Sequence, residues 1–175
     1  SQSVLTRTHF VVRLPAGLCK LPEIESLEAE IREAVRGWQE LLREALVEQF
    51  GEEQGAIQAY DYGNGFPRGY QDDHDVHVAA LDICKFSELE LADDLAVSLY
   101  RVPDSTSNRL RFRLYRLEQP LILSEVIPIL ENLGLLVLAE HPYQVVHRDG
   151  RSVWIHDFDL SYDRLGIEPD LDQIV

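Results

Sequence analysis

The sequence predicts an α+β protein: an antiparallel sheet with helices, joined to a separate acidic helical segment. Three observations carry that prediction. Apolar residues recur every three or four positions up to about residue 91 and every second position from residue 95. The second half orders its elements as strand, strand, helix, strand, strand. The charge is also divided, because residues 23–94 hold 19 acidic and 5 basic residues whereas the rest hold 12 and 11, out of a net −15 over 175 residues.

Residues 4–14 are rich in β-branched and apolar side chains and stop at Pro15 and Gly17, which predicts one strand without a preceding partner. From Pro22 to Phe50 apolar residues recur at Ile24, Leu27, Ile31, Val35, Trp38, Leu42 and Phe50, with Leu41, Ala45 and Leu46 beside them, which predicts one long amphipathic helix closed by Gly51. A shorter helix is expected over residues 52–62, and Gly63-Asn64-Gly65-Phe66-Pro67 breaks the chain. Asp72 or Asp73 is then placed to cap a third helix reaching about Leu91, with Val76, Ala80, Ile83 and Cys84 on its apolar side.

The alternation Leu95, Val97, Leu99 and then Leu110, Phe112, Leu114, around a turn-rich stretch at residues 103–108, predicts an antiparallel pair. Ser124 is the expected cap of a helix over residues 125–133 ended by Gly134. A strand over 135–147 turns at Asp149-Gly150 into a last strand over 152–162. Pro169-Asp170-Leu171-Asp172 opens a further helix, and both ends of the chain are expected to be cut through structure, the first residue not being a native start.

A composition of 45% hydrophobic and 27% charged residues belongs to a folded globular protein. The net charge excludes a nucleic-acid partner, since a phosphate-binding surface needs clustered Lys and Arg. No apolar run approaches the roughly 18 to 20 residues a membrane helix requires, and the first residues lack a secretory leader, so a cytoplasmic protein without a membrane partner is expected. Cys19 and Cys84 lack metal or redox spacing and read as reduced thiols.

Arg109, Arg111 and Arg113 alternate with Leu110, Phe112 and Leu114, which puts three guanidiniums on one face of a strand. Such a row either pairs with the acidic helices, lies in solvent, or binds a carboxylate. His74, Asp75 and His77 have a spacing compatible with a metal, but no third ligand is placed, and they read as a polar helix start. His156 and Asp157 are neighbours on a strand and point to opposite faces, which argues against a catalytic pair; Trp154 and Phe158 join His156 as sheet packing. Gly63-Asn64-Gly65 lies between helices and is not the glycine turn of a dinucleotide site.

The β-β-α-β-β order followed by the start of a helix is the front of an ACT-like, ferredoxin-like fold. The runs Arg113-Leu-Tyr-Arg116, 123–137 (Leu-Ser-Glu-Val-Ile-Pro-Ile-Leu-Glu-Asn-Leu-Gly-Leu-Leu-Val), Glu140-His-Pro-Tyr143 and Trp154-Ile-His-Asp-Phe158 resemble the third ACT-like module of the large NAD-specific glutamate dehydrogenases. His9-Phe-Val-Val-Arg13 resembles the closing strand of a preceding module, and residues 38–51 with Phe66-Pro-Arg-Gly-Tyr70 resemble the helical motif between modules. The chain departs from the family at Gln71-Asp72-Asp73-His74, where an acidic and an aromatic residue often follow Tyr70, and at Asp159, where a glycine is usual.

The resemblance implies four parts: a closing strand over 1–14, an acidic helical motif over 22–94, an ACT-like module over 95–163, and the start of a helix over 164–175. It implies a parent oxidoreductase that converts L-glutamate to 2-oxoglutarate and ammonia with NAD, and a segment that is itself non-catalytic, regulatory or oligomerising. The catalytic lysine and aspartate would lie elsewhere, since this chain holds only Lys20 and Lys85; catalytic, cofactor-binding and metal residues are therefore expected to be none here. The implied partners are other domains and subunits of a homo-oligomer and an L-amino-acid effector. For the effector or an interface the candidates are Arg109, Arg111 and Arg113, the loop residues Leu117, Glu118 and Gln119, and Ser124 at a helix amino terminus, where free N–H groups favour a carboxylate. That loop has no glycine to let a ligand approach its backbone.

Overall fold

A computed structural model describes residues 37–91, 94–101 and 108–162. The strand expected over 4–14, the helix opening near residue 169 and Cys19 lie outside the described residues. The first helix, α1, spans Trp38–Phe50 and follows Gly37, whose backbone is extended at φ −70° and ψ 147°. The helix expected from Pro22 to Phe50 begins at Trp38 among the described residues, and its expected course over 22–36 lies outside them. Gly37 is a poor helix interior by about 1 kcal/mol relative to Ala, and its carbonyl instead accepts from the N–H groups of Glu40 and Leu41.

Gly51, at φ 81°, turns the chain into α2, Glu52–Tyr62, as expected. The third helix is corrected into two. A short α3, Arg68–Asp73, ends at His74, and α4 covers only Val76–Phe86. Its cap is Asp75 rather than Asp72 or Asp73, because the Asp75 Oδ1 accepts from His77 N at 2.8 Å and Val78 N at 3.0 Å.

Strands β1, Leu95–Arg101, β2, Arg109–Leu117, β3, Leu136–Val146, and β4, Ser152–Ser161, form one antiparallel sheet in the order β1-β2-β4-β3. Helix α5 spans Leu123–Asn132. Ser124 is thus its second residue and no cap: the first turn closes on the Ile122 carbonyl, which accepts from Glu125 N and Val126 N. The apolar contacts of Leu121, Leu123 and Val126 draw that turn onto the sheet two residues earlier than a serine cap would. Gly134, at φ 82°, ends the helix as expected.

The strand periodicity divides the core into two clusters. Leu110, Leu114, Phe158 and Leu160 point to one face and pack with Leu130 of α5. Tyr115, Tyr143, Val145, Val153 and Ile155 point to the other, where Leu42 and Leu46 of α1, Phe66 and Tyr70, and Ile83 and Phe86 of α4 cover them. The sheet is the middle layer between α5 and the helical motif. Among the described residues no helix is long and apolar enough to cross a membrane.

Candidate functional site

The alternation that carries apolar residues of β2 toward α5 carries Arg109, Arg111 and Arg113 toward the helical motif. The register then decides their partners, since Arg113 lies opposite Asp157 and Arg111 opposite Asp159 on β4. From the other side α4 supplies Asp82, three residues after Ala79 and four before Phe86 on its buried face. Arg113 is only 1% exposed, so the row is no solvated face at this position.

Arg113 Nη1 donates to both oxygens of Asp82 at 2.8 Å, and Nη2 donates to Asp157 Oδ2 at 3.0 Å. Asp82 also accepts from the hydroxyls of Tyr70, at 2.5 Å, and Tyr115, at 2.8 Å. His74 sits between, its Nδ1 3.1 Å from Arg113 Nη2 and its Nε2 3.3 Å from Asp157 Oδ2. Arg111 places Nη1 3.3 Å from Asp157 Oδ1 and Nε 3.1 Å from Asp159 Oδ1. Arg109, the most exposed of the three, reaches Asp159 at 3.9 Å.

Burial works against every charge here, and the partners answer it unequally. Burial pushes the Arg113 guanidinium down, but Asp82 and Asp157 outweigh it and hold the proton on. Burial raises the Asp82 carboxyl above its ordinary value despite Arg113 and the two tyrosine bonds. At Asp157 burial also raises, yet the His74 bond and the two arginines prevail and bring its pKa to about 2. Burial, then Asp82, raises the Tyr70 and Tyr115 hydroxyls, which remain protonated donors.

The Asp157 shift gives a pH dependence. Its folded pKa lies below the roughly 3.9 of an unfolded aspartate, so its contribution is complete above that value and is lost as pH falls from about 4 to about 2, amounting to about 2.5 kcal/mol. Asp82, shifted upward, acts in the opposite sense. Urea unfolding at pH 6, 4 and 3 is expected to show a loss in the native chain that Asp157→Asn flattens; an equal loss in the variant would refute the assignment.

The loop after β2 forms a second, separate group. Leu117 packs half-buried on the core, while Glu118 and Gln119 are exposed. Glu118 adopts φ 62°, a conformation that favours glycine, so the loop reaches a left-handed turn without one. It is held there by Glu118 N to Ser152 O at 2.9 Å and Gln119 N to Leu117 O at 2.7 Å. His156, buried on the α5 side, accepts from Leu121 N through Nε2 at 2.9 Å and meets Glu140 through Nδ1 at 2.7 Å. Ser124 lies exposed on α5. Arg111 and Leu117 are six residues apart along one strand, about 20 Å at 3.3 Å per residue, so the arginine row and the loop do not share one site.

Sequence reasoning left the arginine row open between the acidic helices, solvent and a carboxylate ligand, and named no partner residue. It did not find Asp82, Tyr70, Tyr115 or the inward turn of His74. The legible signal was Asp157-Phe-Asp159 alternating on β4 opposite Arg109-x-Arg111-x-Arg113 on β2. Among the described residues no group of three His, Cys, Asp or Glu is placed to hold a metal ion.

The model of the glutamate dehydrogenase ACT3 domain matches residues 94–174, and that of glutamate dehydrogenase helical motif 2 matches residues 45–89. The buried cluster therefore joins residues of both matched regions. The chain is 37% identical, over 99% of its length, to 11% of an NAD-specific glutamate dehydrogenase of Pseudomonas aeruginosa. It is 35% identical over 93% of its length to 10% of one from Halomonas elongata, and 28% identical over 92% to 10% of one from Mycobacterium tuberculosis. It spans about a tenth of the length of these relatives.

Proposed function

The chain belongs to the glutamate dehydrogenase family, in the part that carries helical motif 2 and the ACT3 domain, and from that premise we propose that it is a non-catalytic regulatory and oligomerisation segment of an NAD-dependent glutamate dehydrogenase. The parent enzyme converts L-glutamate, NAD and water to 2-oxoglutarate, ammonia and NADH, in the cytoplasm, with NAD bound outside this segment.

The observation that carries this reading is the Arg113 cluster. Its ionisable groups are spent on one another in the interior, and the bonds of Arg113 and Tyr115 to Asp82 tie the helical motif to the sheet. A joint of this kind keeps two parts in one orientation, which suits a segment that positions others. Exposed Ile129 on α5, Leu133 just past its end, and Leu136 and Leu138 on β3 offer apolar surface to other domains or subunits.

Light scattering of the 175-residue chain is expected to show self-association that Ile129→Glu weakens; a monomer at every concentration would count against oligomerisation. A second reading, an L-amino-acid effector bound at the loop, is favoured by the left-handed Glu118. Calorimetric titration with L- and D-amino acids separates the two. Stereospecific binding lost in Gln119→Ala supports the sensor, and silence from a folded oligomer supports architecture.

A further inference from the structure

His156 is 2% exposed on the α5 side of the sheet, and both of its ring nitrogens are engaged. The Leu121 backbone N–H can only donate, so the Nε2 that accepts from it at 2.9 Å carries a lone pair and no proton. The ring proton therefore sits on Nδ1, which donates it to Glu140 Oε1 at 2.7 Å. This is the neutral imidazole in one fixed tautomer. The imidazolium donates at both nitrogens, and its Nε2–H would point at the Leu121 N–H, so the two groups must separate. The bond to Glu140 survives in either state, because Nδ1 donates in both.

We propose that His156 is a pH-operated latch: neutral, it holds Leu121 and the loop before α5 to the sheet, and its protonation releases them. A buried N–H without an acceptor is costly, and no group around the ring takes the place of Nε2. On β2, Leu114 lies opposite His156, and Arg116 is the charged residue further along that face. On β3, Pro142 lies opposite, and Glu140 is already bonded to Nδ1. Trp154 and Phe158 flank the ring on its own strand. Helix α5 turns Leu123, Val126 and Leu130 to the sheet and leaves Glu125 and Glu131 exposed. In the loop, Glu118 is turned to Ser152 N, an anchor separate from the latch.

Leu121 precedes Ile122, whose carbonyl closes the first turn of α5, so opening the latch also unpins the start of that helix. The device goes beyond the proposed function, since it needs neither a ligand nor a second copy. Imidazole is the side chain whose charge changes between about pH 5 and 8, and the latch is closed at the upper end of that range and open at the lower.

The test is NMR of the isotope-labelled 175-residue chain between about pH 8 and about pH 5. The His156 ring signals and the Leu121 amide are expected to change together with one midpoint. Amide exchange at Leu121, corrected for its intrinsic pH dependence, is expected to quicken about tenfold once the ring is charged. His156→Gln, whose amide oxygen can accept from Leu121 and does not titrate, is expected to hold the loop signals fixed. If that variant does not fold, Glu140→Gln takes its place: it keeps an acceptor for Nδ1 and removes a carboxylate that favours the charged ring, so the shared midpoint should move to lower pH. The proposal is overturned if the Leu121 amide stays unmoved while His156 titrates, if His156 does not titrate in this range, or if Glu140→Gln leaves the midpoint where it was. It is overturned equally if the loop of His156→Gln responds to pH as the native loop does, which would assign the response to Glu118 or another carboxylate.

Discussion

Arg113→Met is expected to destabilise the chain by about 3 to 5 kcal/mol, the cost of leaving buried charge without its partner. The substitution keeps most of the side-chain volume, so the loss is electrostatic. Asp82, 2% exposed, and Asp157, fully buried, would both lose a guanidinium that no water replaces. At about 2 to 4 °C per kcal/mol for a chain of this size, the melting midpoint falls by roughly 10 °C. Asp82→Asn in the same background removes the stranded charge while keeping acceptors for Tyr70 and Tyr115. The double variant should therefore lose at least about 2 kcal/mol less than the sum of the two single losses. Thermal unfolding of the four proteins measures this, and additivity within about 0.5 kcal/mol would mean that the pair is not coupled.

The features that sequence periodicity encodes were legible. The two-residue period of β1, β2 and β4 determines which side chains share a face, so the separation of the arginine row from Leu110, Phe112 and Leu114 and the pairing of β1 with β2 were readable, whereas the β2–β4 pairing and the layer each face meets were not. Burial of Arg113 was not legible, because it depends on Asp82 arriving from 31 positions earlier in the chain. The helix ends failed for a local reason. Asp72, Asp73 and Asp75 are all competent caps, and the one used is selected by where His74 must turn inward to meet Arg113 and Asp157. Ser124 failed similarly, since packing of Leu123 against the sheet outweighed its intrinsic preference for a cap. The loop conformation at Glu118 has no sequence signal, since a non-glycine residue at φ 62° is imposed by its bonds to Ser152.

Gly55→Val is expected to cost about 3 kcal/mol, at the upper end of overpacking penalties. Gly55 lies in the buried face of α2, and a Cβ built on it would stand 2.6 Å from Leu46 O, Val47 N and Val47 Cα, all backbone of α1. No side chain can swing aside, so the helices must separate. In a helix interior Gly→Ala gains about 1 kcal/mol from propensity, and Gly55→Ala should nevertheless lose stability because the clash is with backbone. Gly69 of α3 supplies the contrast: a Cβ there meets nothing within 4 Å, so Gly69→Ala is expected to be neutral or to gain up to about 1 kcal/mol. Urea unfolding of the three variants reads both signs, and a stabilised Gly55→Ala would mean that α1 and α2 cross less closely than described. The effect should also reach the charge cluster. Leu42 and Leu46 of α1 pack in the same cluster as Ile83 and Phe86 of α4, the helix that presents Asp82 to Arg113. Displacing α1 therefore loosens the support of the joint, so Gly55→Val and Arg113→Met combined should lose less than the sum of their separate losses, by about 0.5 kcal/mol or more.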